Sequence, residues 1–495
     1  MIDNFIAGSV ALFGDPFTIG IFVFGVIGGM LFGAIPGVSM LTLAAILLPF
    51  TANLEPAQGV MLFAVIYCTG TYGGAITAIL FNIPGAPENA PTAFDGYPMT
   101  RKGQSGKAVG AAVLCSAIGG VTSAIVMMAA TEPLANWAIS NIGPPEIFAL
   151  VFFGLAVASS VGGRTLWKGW MSVLLGLLIA TIGQDPVGGI NRYNFGFSDL
   201  AAGIAFVPAI LGFFAVSEIF VQAEKKAIGM YEAPKLSLDF PTILELWTHK
   251  IAVVRSILVG FFCGILPGIG ATLAAFMGYG EAVRWSKNKE SFGKGNLEGV
   301  ISSETANNAA TGAAMIPLLA LGLPGGALTA MMVAVFQMHD LEPGPLVFYN
   351  SPDLIWIVFA AMFYANVSIL FIGLIETKTI LYLLKIPFQF LAPMILLLAS
   401  IGSYIGRGLV LDVMVMFISG IMGFLLRRSG YSIPGIVLGI ILGKIGEQNF
   451  AQGMQMVHYD LLEYLSRPIC LLLIVAGSLT LLAGIYKALS FSFKS

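Results

Sequence analysis

Residues Ile301 to Gln337 read ISSETANNAATGAAMIPLLALGLPGGALTAMMVAVFQ, and the fold turns on how that run is understood. A bilayer-spanning helix needs about 20 residues, and this stretch is roughly twice as long. Glu304, Asn307, Asn308 and Thr311 recur at i, i+3, i+4 and i+7, which lines them up on one face of a helix. The run is then broken at Pro317 and again at Leu323-Pro324-Gly325-Gly326. A polar stripe leading into a Pro-Gly break inside an apolar run predicts a substrate or ion site where backbone groups are freed.

The surroundings agree with a membrane setting. Of the 495 residues, 57% are apolar and only 10% charged, with a mean hydropathy of +0.90, whereas soluble domains carry about 25% charged residues. Apolar runs of spanning length recur from Phe17 onward, so the expected fold class is an all-α polytopic membrane protein of about eleven to twelve spanning helices plus broken or re-entrant segments. A net charge of −2 argues against nucleic acid as a partner. The 60 glycines and 25 prolines point to close helix packing and interrupted helices. Cys68, Cys115, Cys263 and Cys470 all fall in apolar segments, with neither disulfide nor metal spacing. The start of the chain lacks a basic region, so a cleaved signal peptide is not expected; the first basic residue is Arg101.

In chain order, residues 17–50 are apolar but broken at Gly33-Ala34-Ile35-Pro36-Gly37, and 56–91 are broken at Asn82-Ile83-Pro84-Gly85-Ala86-Pro87. A polar connector, Phe94–Lys107, is expected to be a solvated loop. Further spans are expected at 108–131, 145–161, 168–183 and 200–222. Residues 223–250 are the most polar in the protein and are assigned as a linker between two halves, residues 1–222 and 251–464. Residues 465–495 supply an extra C-terminal helix.

The second half restarts the pattern. Gly260, Gly264 and Pro267-Gly268 repeat the spacing of Gly29, Gly33 and Pro36-Gly37, Thr272 to Ala275 repeats Thr42 to Ala45, and Leu323-Pro324-Gly325 matches Ile83-Pro84-Gly85. Breaks at corresponding positions of two halves are a signature of secondary transporters. The loop charges invert: Glu55 then Arg101, Lys102 and Lys107 in the first half, but Arg284, Lys287, Lys289 and Lys294 then Asp340 and Glu342 in the second. Under the positive-inside rule the repeats are inverted, provided residues 256–280 form a re-entrant hairpin. Arg164, Lys168, Arg427, Arg428, Lys487 and Lys494 then lie inside.

Freed backbone at membrane depth must face protein or a water-filled cavity. Half-helix N-termini there suit a carboxylate, and half-helix C-termini and loose carbonyls suit Na⁺. The competing explanation is that Pro and Gly only kink helices for packing. The substrate site is expected at Pro36, Gly37, Ser39, Asn82, Pro84, Gly85, Pro267, Gly268, Gly270, Thr272, Asn307, Asn308, Thr311, Pro324 and Gly325. Glu304, Asn307 and Asn308 are expected to serve the coupling cation, Na⁺ or H⁺. Glu304 has a plainer alternative, a capping or snorkelling role near a helix end. The dispersed His249, His339 and His458 do not suggest a metal cluster, and Asn366-Val-Ser368, a glycosylation pattern, lies in an apolar span. No hydrolase elbow, zinc-protease helix or P-loop is present, so neither an enzyme nor a self-contained ATPase is expected, and no cofactor beyond the coupling ion.

GAIPGVS (33–39), FNIPGAPENAPTAFDGYPMTRKG (81–103), GPPEIFAL (143–150), GILPGIGATLAAF (264–276), SSETANNAATGAAMIPLLALGLPGG (302–326) and LEPGPLVF (341–348) together resemble the large membrane subunit, TctA type, of the tripartite tricarboxylate transporters. The resemblance covers nearly the whole chain. It implies a bacterial inner-membrane protein with an elevator-type carrier fold. It also implies a small membrane subunit and a periplasmic solute-binding protein as partners, carboxylate substrates such as citrate, and an ion gradient as the driving force. Homodimeric assembly is a further expectation. A stand-alone ion-coupled carboxylate carrier, and after it a channel, are the rival readings.

Overall fold

The computed structural model describes residues 1–35, 39–161, 166–185, 187–224, 241–266, 270–383 and 388–492. The elements that position the site come in two sets. The first comprises α1 (Pro16–Ala34), α2 (Met40–Leu47), α3 (Pro56–Phe81), α4 (Ala90–Arg101) and α5 (Ser105–Asn141). The second comprises α6 (Lys250–Ile265), α7 (Gly270–Trp285), α8 (Leu297–Leu321), α9 (Ala327–Met338) and α10 (Pro352–Leu383).

Among the described residues, six helices are long and apolar enough to cross a membrane, and seven shorter apolar helices accompany them. The protein is a multi-pass membrane protein. Helices 144–161, 166–180 and 206–224 fall close to three of the expected spans. α5 runs ten residues beyond its expected end at 131, through Glu132 and Pro133. One small exception to the all-helical expectation is a β-hairpin, β1 (Gly183–Gln184) with β2 (Asn191–Arg192), pairing Gly183 with Arg192.

α3 and α8 form the centre. Nearly every residue of each is buried, so neither meets lipid along its length. Small residues make that possible. Gly29 and Gly33 of α1 sit against Ile66, Thr69 and Gly70 of α3, while Gly260 and Gly264 of α6 sit against Ala306, Ala309, Ala310 and Ala313 of α8. With no side chain between them the backbones approach closely, which replaces the hydrophobic driving force that lipid removes. Gly278 of α7 meets Ser302 and Ala306 at the level that Gly260 reaches from α6. The pair α6–α7 is therefore a hairpin laid along α8, with longer arms than the expected 256–280.

Both central helices end alike. α3 is closed by Asn82 in the left-handed conformation (φ 58°), with Ile83 N–H donating to Thr77 C=O at 3.3 Å. α8 is closed by Gly322 (φ 74°), with Leu323 N–H donating to Pro317 C=O at 3.1 Å. Each bond spans six positions around the left-handed residue, and the left-handed residue that closes a helix is usually Gly and sometimes Asn. The chain then folds back in each case. Gly85 N–H donates to Gly74 C=O at 3.3 Å, and Gly325 lies against Ala314, eleven positions back in both (85 − 74; 325 − 314).

The four loops whose charges are compared above lie in pairs at the two ends of the bundle. At one end Lys102 Nζ donates to Lys294 C=O at 2.6 Å, and Lys107 pairs with Glu245 of the short helix Ile243–Thr248. At the other, Thr51 lies beside Met338, and His339 beside Gly59, so the turn carrying Glu55 and the connector carrying Asp340 are neighbours. The expected solvated loop at Phe94–Lys107 is corrected: its first part is the helix α4. Asp95 there is fully buried. It accepts from Gly295 N–H and Asn296 N–H, both at 2.8 Å, and from Tyr279 Oη at 2.9 Å. A carboxylate bonded in this way is a pin between the halves. Most of the polar linker, residues 225–240, lies outside the described residues.

Candidate functional site

Glu304 sits in the eighth position of α8 and is 0% exposed. Asn296 caps that helix by accepting from Glu298 N–H at 2.9 Å, so the capping alternative for Glu304 fails, and burial excludes snorkelling. Its two carboxyl oxygens are held from the first set of helices. Thr92 Oγ1 of α4 donates to Oε1 at 2.5 Å, and Ser116 Oγ of α5 donates to Oε2 at 3.0 Å. Asn89 and Asn307 present their side chains to the same carboxyl group.

The rest of the polar stripe continues the network. Asn307 Nδ2 donates to Glu88 C=O at 3.3 Å. Asn308 Nδ2 donates to Asn307 Oδ1 at 2.9 Å and to Glu304 C=O at 3.1 Å, and Thr311 Oγ1 donates to Asn308 C=O at 2.8 Å. Thr272 of α7 donates through Oγ1 to Glu88 Oε2 at 3.3 Å. Asn89 Nδ2 reaches back to Thr71 C=O of α3 at 2.8 Å, possible because Gly74 leaves room for the amide.

Among the described residues, neither Glu304 nor Glu88 forms an ion pair. The side-chain oxygens Asn89 Oδ1 and Asn308 Oδ1 are buried and have no hydrogen-bond partner there. Two buried carboxyl groups and two unpaired amide oxygens make a locus rich in acceptors. Such a locus suits a cation and not a bare anion.

A second locus lies at the second break. Gly270, which opens α7 with φ 60°, faces Gly325 C=O and the Cα of Gly326, just before α9. Two helix N-termini thus approach one another, with the partial positive charge that favours a carboxylate. Positive φ is a backbone state that glycine tolerates and other residues resist, which ties Gly270 to its position.

Of the expected site residues, Glu304, Asn307, Asn308, Thr311 and Thr272 converge at the first locus, and Gly270, Pro324 and Gly325 at the second. Gly85 packs beside Gly33 and Gly74 at the first break. Asn82 is the helix cap described above, and its side chain is exposed. Ser39 precedes α2 and makes no side-chain cap. Pro36, Gly37, Pro267 and Gly268 lie outside the described residues. Sequence reasoning passed over Glu88, Asn89, Thr92 and Ser116. The available signal was PENAPT, residues 87–92, in which a Glu-Asn pair and a Thr follow a membrane-depth break directly.

A many-helix membrane bundle with broken central helices and a buried ionisable network defines a class, that of integral membrane transport proteins. The chain belongs to the tripartite tricarboxylate transporter TctA family, which it matches over residues 19–438. Membership supports a tricarboxylate transporter subunit working in a tripartite system, in a family of transporters and not of enzymes. It is similar to an uncharacterized 52.8 kDa protein of the TAR-I ttuC' 3' region of Agrobacterium vitis, at 35% identity over 460 residues covering 92% of this chain and 90% of that one. A second A. vitis protein, from the TAR-II ttuC' 3' region, is 35% identical over 218 residues, 44% of this chain and 90% of its own. No solved structure matches.

Proposed function

We propose that the chain is the translocation subunit of a cation-gradient-driven secondary transporter. In this reading a binding protein delivers tricarboxylates or related carboxylates, and a small membrane subunit completes the system in the bacterial inner membrane. The observation that carries it is Glu304, a fully buried carboxyl group of α8 held by hydroxyls of α4 and α5. A buried intramembrane carboxyl group between helices from two halves of a bundle is costly and marks an ion path. In this reading Glu304, Asn89 and Asn308 serve the cation, and the facing ends of α7 and α9 take the carboxylate. Proximity of the two loci then couples ion to substrate.

The paired left-handed caps and the equal fold-back distance support two related repeats, and the segregation of the four basic and acidic loops supports their inversion. With the basic end cytoplasmic, each half contributes one hairpin and one broken helix to a central transport unit, as elevator carriers require.

The test is uptake of labelled di- and tricarboxylates into proteoliposomes holding this chain and its small partner. It is run with and without the binding protein, and with and without an inward Na⁺ or proton gradient. Uptake needing both the protein and a gradient is the expected result. Gradient-driven uptake that ignores the binding protein would make this a stand-alone carrier, and uptake that ignores every gradient would make it a channel.

A further inference from the structure

Asn366 of α10 belongs to none of the contacts described so far. It is fully buried, and its amide nitrogen donates to Met362 C=O, four residues back in its own helix, at 2.8 Å. Asn308 of α8 does the same with Glu304 C=O, also four residues back. Bonding the nitrogen to the parent helix turns the amide oxygen away from it. In both asparagines that oxygen is buried and has no hydrogen-bond partner among the described residues.

The residues between them join the two. Thr311, one turn on from Asn308, lies with its hydroxyl 3.8 Å from Cys68 Sγ of α3, and the Cys68 side chain lies against the Asn366 amide. Gly120 of α5 makes room for that amide, because a Cβ there would strike it. One run of contacts therefore leads from Asn366 of α10, against α5, through Cys68 of α3 to Thr311 and Asn308 of α8, and along it lie two orphaned amide oxygens and a hydroxyl. Native proteins rarely leave such buried acceptors unmatched.

We propose that the amide oxygens of Asn308 and Asn366, with the Thr311 hydroxyl between them, form a site for a monovalent alkali cation of the sodium class. The site deepens the carrier reading given above and rests on it for its role in transport. Neutral amide and hydroxyl oxygens are hard ligands suited to such an ion. Amides do not take up a proton near neutral pH, so this site holds a metal ion even if Glu304 carries a proton. Divalent Ca²⁺ sites draw on carboxylates, and none is among these ligands. Among the described residues no grouping of His, Cys, Asp and Glu fits a transition metal either. The bond from Asn308 to Glu304 C=O places the site next to the carboxyl network, and Asn366 makes occupancy depend on the position of α10 against α8.

Thermal unfolding of the purified chain in detergent tests this, with NaCl exchanged stepwise for N-methylglucamine chloride at constant ionic strength. An ion that binds the folded state raises the melting temperature with concentration until the site saturates. Wild type is expected to show a saturable Na⁺ response. Asn366→Ala, which removes one ligand, should raise the half-saturating concentration about tenfold. Asn366→Asp keeps an oxygen and should retain the response. Cys68→Ser replaces a soft sulfur beside the site with a hard oxygen and should lower the half-saturating concentration. Melting curves of wild type that coincide in the two salts would overturn the proposal, as would an Asn366→Ala titration superimposed on that of wild type. If Asn366→Ala fails to fold, Cys68→Ser decides, and an unchanged titration there counts against the site. The readout is ion binding, so lost carboxylate uptake with an intact Na⁺ response would break the carrier reading and leave this one standing.

Discussion

α3 and α8 share a backbone plan and differ in chemistry. Each is a buried central helix with the glycines of a neighbouring helix packed along it, a left-handed cap, and a chain that folds back onto the residue eleven before. Yet the buried threonine hydroxyls of α3 bond chiefly to their own helix. Thr69 donates to Val65 C=O at 2.9 Å and Thr71 to Tyr67 C=O at 2.8 Å. The polar stripe of α8 instead reaches across to Thr92, Ser116 and Glu88. The first half contributes its chemistry after its break, and the second half before its break. The two helices thus share backbone features while their surroundings differ in chemistry, with Glu88 following the break of one and Glu304 preceding the break of the other.

The largest expected effect separates the two helices by function. Glu304→Gln should reduce gradient-driven uptake on the order of a hundredfold, because an amide can neither carry the coupling proton nor offer a carboxylate to a cation. Wild-type ion dependence in that variant would demote Glu304 to an acceptor for Thr92 and Ser116. Next come the fold-backs. Gly85→Val and Gly325→Val each force side-chain atoms into backbone, of Gly33 and Gly74 in one case and of Ala314 in the other. Each should stop uptake and destabilise by about 1–3 kcal/mol, with protein still detectable in the membrane. Normal uptake in one of the pair would show that only the other break serves transport.

The caps give a smaller and more pointed contrast. Gly322→Ala should cost about 1–2 kcal/mol because an L-residue is disfavoured in the left-handed state, whereas Asn82→Gly should be neutral or slightly stabilising. Equal melting temperatures for Gly322→Ala and wild type would contradict the shared cap. The smallest effect lies at the basic end. The hydrogen bond from Lys107, with the Thr242 N–H after it, holds the Glu245 carboxyl below the usual carboxylate range. A carboxyl group depressed in the folded state contributes above its unfolded value and loses that contribution as pH falls through the folded one. The melting-temperature advantage of wild type over Glu245→Gln should therefore be present at neutral pH and close in acid. An advantage unchanged down to strongly acidic pH would mean the pair does not stabilise the chain.

Much of this was legible from local pattern. The spacing of Glu304, Asn307, Asn308 and Thr311 is a property of one helix, and 3.6-residue periodicity puts them on one face without help from elsewhere. The breaks were legible because Pro cannot donate and Gly tolerates the turn. Phe94–Lys107 misled because its charged and polar residues read as solvated, whereas Asp95 is matched by amides two hundred residues on (295 − 95). Asn366 was set aside for a similar reason: an asparagine in an apolar run shows its purpose only once Cys68 and Thr311 stand beside it.

The chain alone determined its class, the places where helices break, the polar face of α8 and the family to which it belongs, because each rests on composition, short-range periodicity or motif. Only the tertiary structure decided that Glu304 meets Thr92 and Ser116, that Thr272 meets Glu88, and that Gly270 faces Gly325. Those partners come from separate helices, most of them in different halves of the chain, and residue order carries no record of which helix faces will be packed together.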